Sequence, residues 1–523
     1  MHMKNMKQHI KPFASLYLGS LFIYCPLILL RLTNDMDGMW DQDDHVTGVA
    51  EIRMGRWFWP ILDKLRLNVS LDPLPALAAL ALFSCGILFL LSLMHVQWKS
   101  QREKLSAWVV GMMILSAPTL LCQLSYSHMS INDALSFLFA VLAVWIVERK
   151  TDSGRKLLWI LAAGFVIALM MGGYQASLGI TCVTALFCFI SMLARSEKPE
   201  KALGFAGRML ASVVTGAVLY EVFLHLCLAV TGQTLSDYNG ADAITFEGVI
   251  RALPSSLKHT YTSFDFFFGG GGYHFNILQS HNWFPVFYLI PAAILLNCVW
   301  STWKRSRLSA VLMAVAFLLV PVFANSFFLL AVSAETMMQM TMGMAMILPL
   351  VFCLLPFCGH PDLQKERLRK LFYMGTGMGM ALLLYGEIAQ AVVDQYAMCV
   401  GRRAATTLAG QVMNQWAVTG TDYTENVVLV YGTPMKSPLF QVTPLFNRAN
   451  SFAQFGKWAT TSEGNRLCWS AFFIQQLRVN VNYAEGDTLE TIYHSPEVAA
   501  MPVYPAPGSA ANVWGVTVVK ISE

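Results

Sequence analysis

Residues 74–95 read LPALAALALFSCGILFLLSLMH and contain no Asp, Glu, Lys or Arg. A stretch of roughly 20 apolar residues is long enough to cross the hydrocarbon core of a bilayer as a helix. Similar stretches recur along most of the chain. The predicted spans are residues 13–30, 74–95, 106–124, 131–148, 157–174, 176–194, 209–231, 283–300, 309–328, 338–357 and 371–392. The sequence therefore predicts an all-α polytopic membrane bundle of about eleven transmembrane helices.

The composition of the whole chain indicates the same class of protein. Of the 523 residues, 55% are hydrophobic and 13% are charged, and the mean hydropathy is +0.50. Soluble domains carry about 25% charged residues. A disordered chain, a nucleic-acid-binding chain and an ordinary cytosolic enzyme are therefore excluded. The net charge of +4 distinguishes nothing, because the placement of positive charge orients a membrane protein.

The basic residues predict the orientation. Lys4, Lys7 and Lys11 precede the first apolar stretch, which lacks a small-residue cleavage site and is interpreted as an uncleaved signal anchor. With the N-terminus inside, six short inside segments hold 21 of the 36 Lys and Arg residues. This bias follows the positive-inside rule. The inside segments are residues 1–12, 96–105, 149–156, 195–208, 301–308 and 358–370.

Three long pieces then fall on the outside, namely residues 31–73, 232–282 and 397–523. We predict a transmembrane domain over residues 1–396 and a separate extracytoplasmic domain over residues 397–523. The second of these has strand-like runs at Val427–Tyr431 and Val516–Ile521 and a helical stretch near Ser470–Leu477. Such a mixture is typical of a small α/β domain.

The first outside loop, residues 31–73, is unusually acidic and aromatic. Six of the 32 acidic residues lie within 17 residues of this loop, at Asp35, Asp37, Asp41, Asp43, Asp44 and Glu51. Trp40 and Trp57 lie among them, which is typical of a segment at the membrane interface. Arg53 and Arg56 are three residues apart and would share one face of a helix. Such a pair can clamp a lipid phosphate, although snorkelling to anionic headgroups is the alternative.

Other candidate site residues are expected at the same membrane face. Tyr126 and Asp133 lie at the outside end of the fourth span, where an ionisable residue indicates function. A helix N-terminal acid favoured by the dipole is the alternative for Asp133. Tyr174 and Gln175, between the fifth and sixth spans, would face a sugar or form a simple turn. Glu335 lies between the ninth and tenth spans.

Cofactor motifs are missing from the sequence. No CxxC pair, Walker A motif or dinucleotide fingerprint is present, so we expect no cofactor and no required metal. A divalent ion on the Asp cluster is not excluded. A disulfide between Cys399 and Cys468, which lie well clear of the spans, is left open.

Four short motifs resemble the bacterial Gtr-type glucosyltransferases, the serotype-converting enzymes of similar design to GT-C glycosyltransferases. They are Asp37 in Asn34–Gly38 with Gly55-Arg56-Trp57, the pair Tyr126 and Asp133, the turn Tyr174-Gln175-Ala176, and the tail from Met501 through Pro505 and Gly508 to a Val-rich strand. The resemblance extends over most of the chain. The family often has one or two Asp in the first loop, so Asp37, Asp43 and Asp44 stay open as the catalytic base.

The resemblance implies a reaction. A hexose, expected to be glucose, would pass with inversion from undecaprenyl phosphate to a surface polysaccharide such as the O-antigen of lipopolysaccharide, giving serotype conversion. The enzyme would lie in the bacterial inner membrane with its C-terminal domain in the periplasm. A donor synthase and a small flippase are implied as partners, and nucleic acid is not. The base would be Asp37 or Asp44, Arg53 or Arg56 would stabilise the departing phosphate, and Asp133 would orient the acceptor or hold the first loop.

Two other functions remain alternatives at this point. A transporter or flippase of a lipid-linked glycan would need polar groups near mid-span and pseudo-symmetric halves, which the sequence does not show. An O-antigen polymerase or ligase would use the second outside loop, with Arg251, Lys258 and His259. The tail would either bind acceptor glycan or use its aromatic residues for core packing, and these residues are Trp416, Tyr423, Trp458 and Trp469.

Overall fold

A computed structural model describes most of the chain. The residues outside the description are 1–2, 34, 41–47, 97, 150–153, 196, 237–245, 270–283, 330–336, 359–365, 441–442 and 444–457. Helices dominate the first four hundred residues. In chain order they are α1 Met3–Ile23, α2 Cys25–Leu30, α3 Asp35–Trp40, α4 Val49–Arg53, α5 Trp59–Leu65, α6 Leu74–Leu93, α7 Gln101–Leu115, α8 Pro118–Leu124, α9 Ser127–Arg149, α10 Lys156–Gly173, α11 Leu178–Ala194, α12 Pro199–Thr231, α13 Phe246–Gly269, α14 Phe284–Trp303, α15 Arg307–Leu318, α16 Val320–Ala324, α17 Met342–Ala345, α18 Ile347–Phe352 and α19 Glu366–Val418.

The helical membrane bundle is confirmed, but the count of eleven spans is not. Among the described residues, six helices are long and apolar enough to cross a membrane. They lie at Leu74–Leu93, Ser127–Arg149, Lys156–Gly173, Gln175–Ala194, Pro199–Thr231 and Lys370–Val418. The pair α7 and α8, bent by 54°, makes a seventh if it is one broken span. The other predicted spans contain shorter apolar helices, such as Tyr288–Trp303 and Arg307–Leu318.

Proline accounts for several of these interruptions. Pro26, Pro118 and Pro321 each stand in the first turn of a new helix, just after the preceding helix has ended. Proline lacks a backbone N–H, and its ring clashes with the carbonyl of the residue four positions earlier. It therefore ends the earlier helix and begins the next one. A hydropathy window averages over a proline and reports one uninterrupted span.

Small residues bring the central helices of the bundle close together. A Cβ on Gly164 of α10 would lie 2.7 Å from the side chain of Thr215, and one on Gly216 of α12 would lie 2.5 Å from that of Ile167. In a bilayer there is no hydrophobic drive between helices, so close van der Waals packing has to hold them. The two glycines therefore fix α10 directly against α12.

The second outside loop contains a helix that the search for apolar spans did not predict. Helix α13 packs against α16 and the 3₁₀ turn Ser326–Leu329. The hydroxyl of Tyr261 donates to the carbonyl of Leu318 at 2.7 Å, and the ring of His259 lies edge-on to Phe328 at 4.5 Å. Charged residues interrupt the apolar positions of α13, so no long apolar window exists there. Most of the Gly269–Gly272 run lies outside the described residues.

Helix α19 links the bundle to the C-terminal part of the chain. Leu383 and Ala391 belong to the large core of the bundle, while Leu408 and Trp416 belong to a second core formed by the C-terminal residues. The expected boundary between residues 396 and 397 therefore falls inside a continuous helix. A helix of 53 residues is about 80 Å long at 1.5 Å per residue. The division into two domains stays a prediction.

The C-terminal part contains a small sheet with helices. The strands are β1 Val428–Tyr431, β2 Ala510–Val513 and β3 Val516–Lys520, in the order β1-β3-β2. β1 is parallel to β3, and β2 is antiparallel to it. The helices are α20 Ser462–Ala471, α21 Gly486–Tyr493 and α22 Pro496–Ala500, with a π-helical turn at Phe472–Gln476. The small sheet expected here is confirmed, and β2 is an additional strand.

Two expectations for this part are settled by burial. Trp416 and Trp469 are fully buried in the C-terminal core, so they pack and do not bind glycan. Tyr423 packs at the edge of that core, and the side chain of Trp458 lies outside the described residues. Cys399 packs on the bundle core, whereas Cys468 is buried in the C-terminal core. No disulfide therefore joins these two described cysteines.

Candidate active site

The site begins where α4 ends. Helix α4 stops at Arg53, and Gly55 follows with a left-handed φ of +84°. A Cβ on Gly55 would lie 2.6 Å from Nε2 of Gln175. Only glycine fits this reversal without strain. The expectation that Arg53 and Arg56 share one helix face is therefore wrong, because Arg56 lies beyond the end of the helix.

Gln175 and Tyr220 hold the reversed segment. Nε2 of Gln175 donates to the carbonyl of Met54 at 2.9 Å and to the hydroxyl of Tyr220 at 3.2 Å. The Tyr220 hydroxyl donates to the carbonyl of Gly55 at 3.1 Å. Gln175, expected to meet a sugar, thus uses its amide nitrogen on the first loop. Tyr220 was missed because it lies in the apolar run of α12, with no neighbouring motif to mark it.

The glycine pair before Tyr174 makes room for the aromatic residues of the first loop. A Cβ on Gly172 would lie 2.5 Å from the ring of Trp57, which is buried and 5.1 Å from the ring of Phe223. The indole N–H of Trp59 donates to the carbonyl of Gly173. Tyr174 is itself 4% exposed. Residues 172–175 therefore form the surface against which Trp57 and Trp59 of the first loop pack.

The two candidate arginines point to different surroundings. Arg56 forms an ion pair with Glu51, with 3.0 Å between Nη1 and Oε2, and both side chains are about 15% exposed. Its guanidinium carbon lies 4.9 Å from the ring centre of Trp59. Arg53 is exposed, and its Nε donates to the carbonyl of Thr234 at 3.3 Å. Of the pair, only Arg56 is therefore part of the buried cluster, and Glu51 is an acid of the site that sequence reasoning did not select.

Asp133 is the most deeply buried acid near this arginine. It is 2% exposed, and neither carboxylate oxygen has a hydrogen-bond partner among the described residues. A Cβ on Gly173, whose carbonyl accepts from Trp59, would lie 3.9 Å from the carbonyl oxygen of Asn132, so this part of α9 lies beside the packed pair of Trp59 and Arg56. Helix α9 begins at Ser127, so Asp133 lies almost two turns inside, beyond the reach of a helix-end dipole. A buried carboxylate without partners costs several kcal/mol, and such a group indicates a ligand site.

Asp72 shows how a buried acid is satisfied in the same neighbourhood. It is 6% exposed, and both of its oxygens accept from the hydroxyl of Ser127 at 2.8 Å. Asn132, beside Asp133, is fully buried, and its side-chain amide has no partner among the described residues. Asn132 and Asp133, whose side chains have no partner among the described residues, are therefore adjacent on α9. They lie more than one helical turn after Ser127, which pairs with Asp72.

An aromatic row connects Tyr126 to Arg56. Tyr126 is 7% exposed and lies edge-on to His128, with ring centres 6.4 Å apart. His128 lies edge-on to Trp59 at 6.3 Å, and its carbonyl accepts from Nη1 of Arg66 at 2.9 Å. The guanidinium of Arg56 in turn packs over the ring of Trp59. Tyr126, Arg56, Trp57 and Gln175 thus lie around the first turns of α9, which carry Asp133.

In the acidic part of the first loop, the structure describes the backbone of α3 and leaves residues 41–47 outside the description. Asp37 belongs to α3, but its side chain lies outside the described residues, as do Asp43, Asp44 and Glu335 altogether. Trp40, at the end of α3, packs against the C-terminal core. In the described part of the chain no three His, Cys, Asp or Glu residues approach closely enough to hold a metal ion. The metal-independent site stays a prediction.

An apolar cavity lies in the bundle below this cluster. Its volume is about 480 Å³, and helices α11, α12, α15 and α16 line it with residues such as Phe189, Met209 and Phe323. Cys182 and Val213 of the lining lie seven residues from Gln175 and Tyr220 respectively. Two helical turns are about 10.5 Å, so the cavity starts on the same helix faces a short distance from the site.

The structure is that of a helical membrane protein with a half-buried arginine and a buried carboxylate, unpaired among the described residues, near one end of its bundle. Residues 32–354, more than half of the chain, match the family model described as glucosyl transferase GtrII, and the chain belongs to this family. The resemblance drawn from the four motifs is confirmed, and the chain is a membrane glycosyltransferase by family. Neither a curated protein nor a solved structure matches the chain significantly.

Proposed function

We propose that the protein transfers glucose from polyprenyl phosphate, expected to be undecaprenyl phosphate, to a surface polysaccharide such as O-antigen. The transfer would invert the configuration at C1 and take place at the outer face of the inner membrane. The observation that carries the proposal is the buried Asp133, whose carboxylate has no hydrogen-bond partner among the described residues and which lies on the part of α9 that packs beside Gly173, Trp59 and Arg56. Both residues lie within the range that matches the glucosyltransferase family.

In the proposed reaction Asp133 is the general base. Its carboxylate takes the proton of the acceptor hydroxyl while that oxygen attacks C1 of glucose. The bond between C1 and the phosphate oxygen breaks, and polyprenyl phosphate leaves with the bonding electrons. Asn132, whose amide also has no partner in the described part of the chain, is assigned to a sugar hydroxyl. Asp37, Asp43 and Asp44 are the alternative bases, from the first loop.

Arg56 is proposed to hold the departing phosphate. A guanidinium offers a planar set of donors that matches phosphate oxygens, and charge that develops in the transition state is stabilised best by donors already in place. The Glu51 carboxylate and the Trp59 ring hold Arg56 in one orientation. Arg53 is not assigned this role, because its guanidinium is exposed and turned to Thr234.

The lipid part of the donor is proposed to enter the apolar cavity. Its lining residues are almost all apolar, and it starts two turns from the Gln175–Tyr220 hydrogen bond. Burial of an isoprenoid chain there would contribute roughly 25 cal/mol per Å² of apolar surface removed from water. The sugar phosphate would then reach the end of the bundle where Arg56 lies.

The alternatives are less well supported by particular contacts. The polymerase or ligase reading relied on His259, whose ring packs edge-on against Phe328 and whose Nε2 lies 3.5 Å from the hydroxyl of Ser263. The transporter reading relied on polar groups near mid-span, and Glu221 on α12 is 58% exposed and paired with His225. Neither contact forms part of the cluster around Arg56 and Asp133.

The experiment uses the full chain in lipid vesicles. Polyprenyl-phosphate glucose with a radiolabelled sugar is supplied together with a lipopolysaccharide acceptor. We expect label in the polysaccharide and one polyprenyl phosphate released for each glucose transferred. If no such donor gives labelled polysaccharide while the lipid crosses the vesicle membrane, the protein is a transporter and the proposal is wrong.

A further inference from the structure

Helix α3 joins the core of the C-terminal domain, although it lies some 365 residues earlier in the chain. Met39 is fully buried in the hydrophobic core whose other buried members, among the described residues, run from Ala405 to Ile521. Trp40 packs against the same core. Helix α3 contacts α20 and the π-helical turn Phe472–Gln476. The first loop is therefore anchored in the C-terminal domain by its own side chains.

The opposite side of α3 lies against the start of the site. A Cβ on Gly38 would lie 2.9 Å from the carbonyl oxygen of Ser125. Ser125 lies between α8 and α9, just before the segment that carries Tyr126, His128 and Asp133. Glycine is the residue that allows α3 to approach this carbonyl. The helix is thus held between the C-terminal core on one side and the beginning of α9 on the other.

A single continuous helix, α19, joins the C-terminal core to the core of the bundle. Trp416, on the last turn of α19, packs against Tyr423 and Phe473, with both ring centres 5.5 Å away. The same helix carries Leu383 and Ala391 in the bundle core. Because a continuous helix joins the two cores, the position of α3 is determined relative to the membrane helices and not only within the tail.

We infer that the C-terminal domain positions the first loop for the transfer reaction, with Met39 as the positioning residue that docks α3. The inference rests on the proposed function for its effect on catalysis, whereas the docking of α3 does not depend on that function. It gives the tail a role other than glycan binding through Trp416 and Trp469, both of which are buried. Through Gly38, this contact would hold α3 against the carbonyl of Ser125, just before the start of α9.

The test compares two core deletions of similar kind. Met39→Ala removes the contact with α3, while Leu489→Ala removes a buried side chain of α21 in the same core. Met39→Leu keeps the volume and serves as the rescue. A small misplacement of catalytic groups can cost about a hundredfold in rate. We expect kcat for glucose transfer to fall about 10- to 100-fold in Met39→Ala, with KM for the donor unchanged, and to stay near wild type in the other two.

Amide hydrogen exchange of the peptide containing α3 supplies a readout that needs no activity. We expect faster exchange in Met39→Ala and wild-type exchange in Leu489→Ala and Met39→Leu. Equal losses of kcat in Met39→Ala and Leu489→Ala would show a general effect of core stability and overturn the inference, as would unchanged exchange and rate in Met39→Ala. A wild-type protein without transfer activity would contradict the proposed function, while the exchange data would still decide the docking.

Discussion

In the C-terminal domain, Nδ2 of Asn465 and the indole N–H of Trp469 both donate to the carbonyl of Gly432, at 2.8 and 3.0 Å. At the site end of the bundle, Asn132 and Asp133 are just as buried, yet their side chains have no hydrogen-bond partner among the described residues. Buried polar groups are nearly always paired in folded proteins. The bonds to Gly432 therefore stabilise the fold, whereas the adjacent side chains of Asn132 and Asp133, both without a partner among those residues, are the groups that the proposed ligand would complete.

Apart from the substitution of Asp133 itself, Arg56→Ala is expected to have the largest effect among the variants that probe this comparison. The substitution removes the positive charge that faces Asp133 and the proposed phosphate contact. Loss of one preorganised electrostatic contact costs about 10²- to 10³-fold in rate. Steady-state transfer assays measure it. Arg53→Ala is the matched control, because Arg53 is exposed, and equal losses in the two variants would remove the distinction drawn between the arginines.

Trp469→Phe tests the paired side of the comparison. Phenylalanine keeps an aromatic ring, although a smaller one, and the N–H that donates to Gly432 is lost. The unfolding free energy of the C-terminal part of the chain should therefore fall by about 1–3 kcal/mol. Chemical denaturation followed by tryptophan fluorescence measures the change. The transfer rate of the folded fraction should not change. A loss of rate with unchanged stability would mean that this paired group serves the reaction and not the fold.

The smallest effect is expected on stability at low pH, through the surface ion pair between Glu463 and Arg466 in the C-terminal part of the chain. Hydrogen bonds from Arg466, with Nη2 2.6 Å from Oε1, lower the pKa of Glu463 below its ordinary value. A lowered folded-state pKa stabilises the protein above the unfolded-state value, about 4.3 for Glu, and this stability is lost as pH falls through the folded-state pKa. Glu463 is 53% exposed, so the contribution is below about 1 kcal/mol.

Thermal unfolding measured between pH 3 and pH 7 reports how much the Glu463 ion pair contributes to the free energy of unfolding. We expect the stability difference between wild type and Glu463→Gln to be present at neutral pH and to disappear in acid. A difference that grew as the pH fell would have the opposite sign and would contradict the assigned ion pair.

The sequence predicted the parts of the molecule that depend on composition and local motif. Apolar length predicted the helical bundle, and Val-rich runs predicted β1 and β3. Asp133 was selected because an ionisable residue at the end of a span is costly and therefore informative. Arg56 was selected for its spacing from Arg53, and Gln175 for its place in a short turn between two spans. The count of eleven spans is not confirmed among the described residues, where Pro118 and Pro321 stand at interruptions of helices inside apolar windows.

The missed features depend on contacts between distant residues. Nothing near Tyr220 indicates that its hydroxyl meets Gly55, 165 residues earlier. Met39 is one apolar residue in an acidic loop, and its burial depends on a core formed by residues after Ala405. Arg53 and Arg56 were paired on a helix because periodicity was extended past α4, although Gly55 marked the reversal.

The most direct test of the central claim compares two buried acids near the start of α9. Asp133→Asn removes the proposed base and should lower the rate of glucose transfer from polyprenyl phosphate by about 10²- to 10⁴-fold, with the protein still folded. Asp72→Asn alters an acid that is already satisfied by Ser127 and should retain transfer. Full transfer by Asp133→Asn, or an equal loss in Asp72→Asn, would contradict the account.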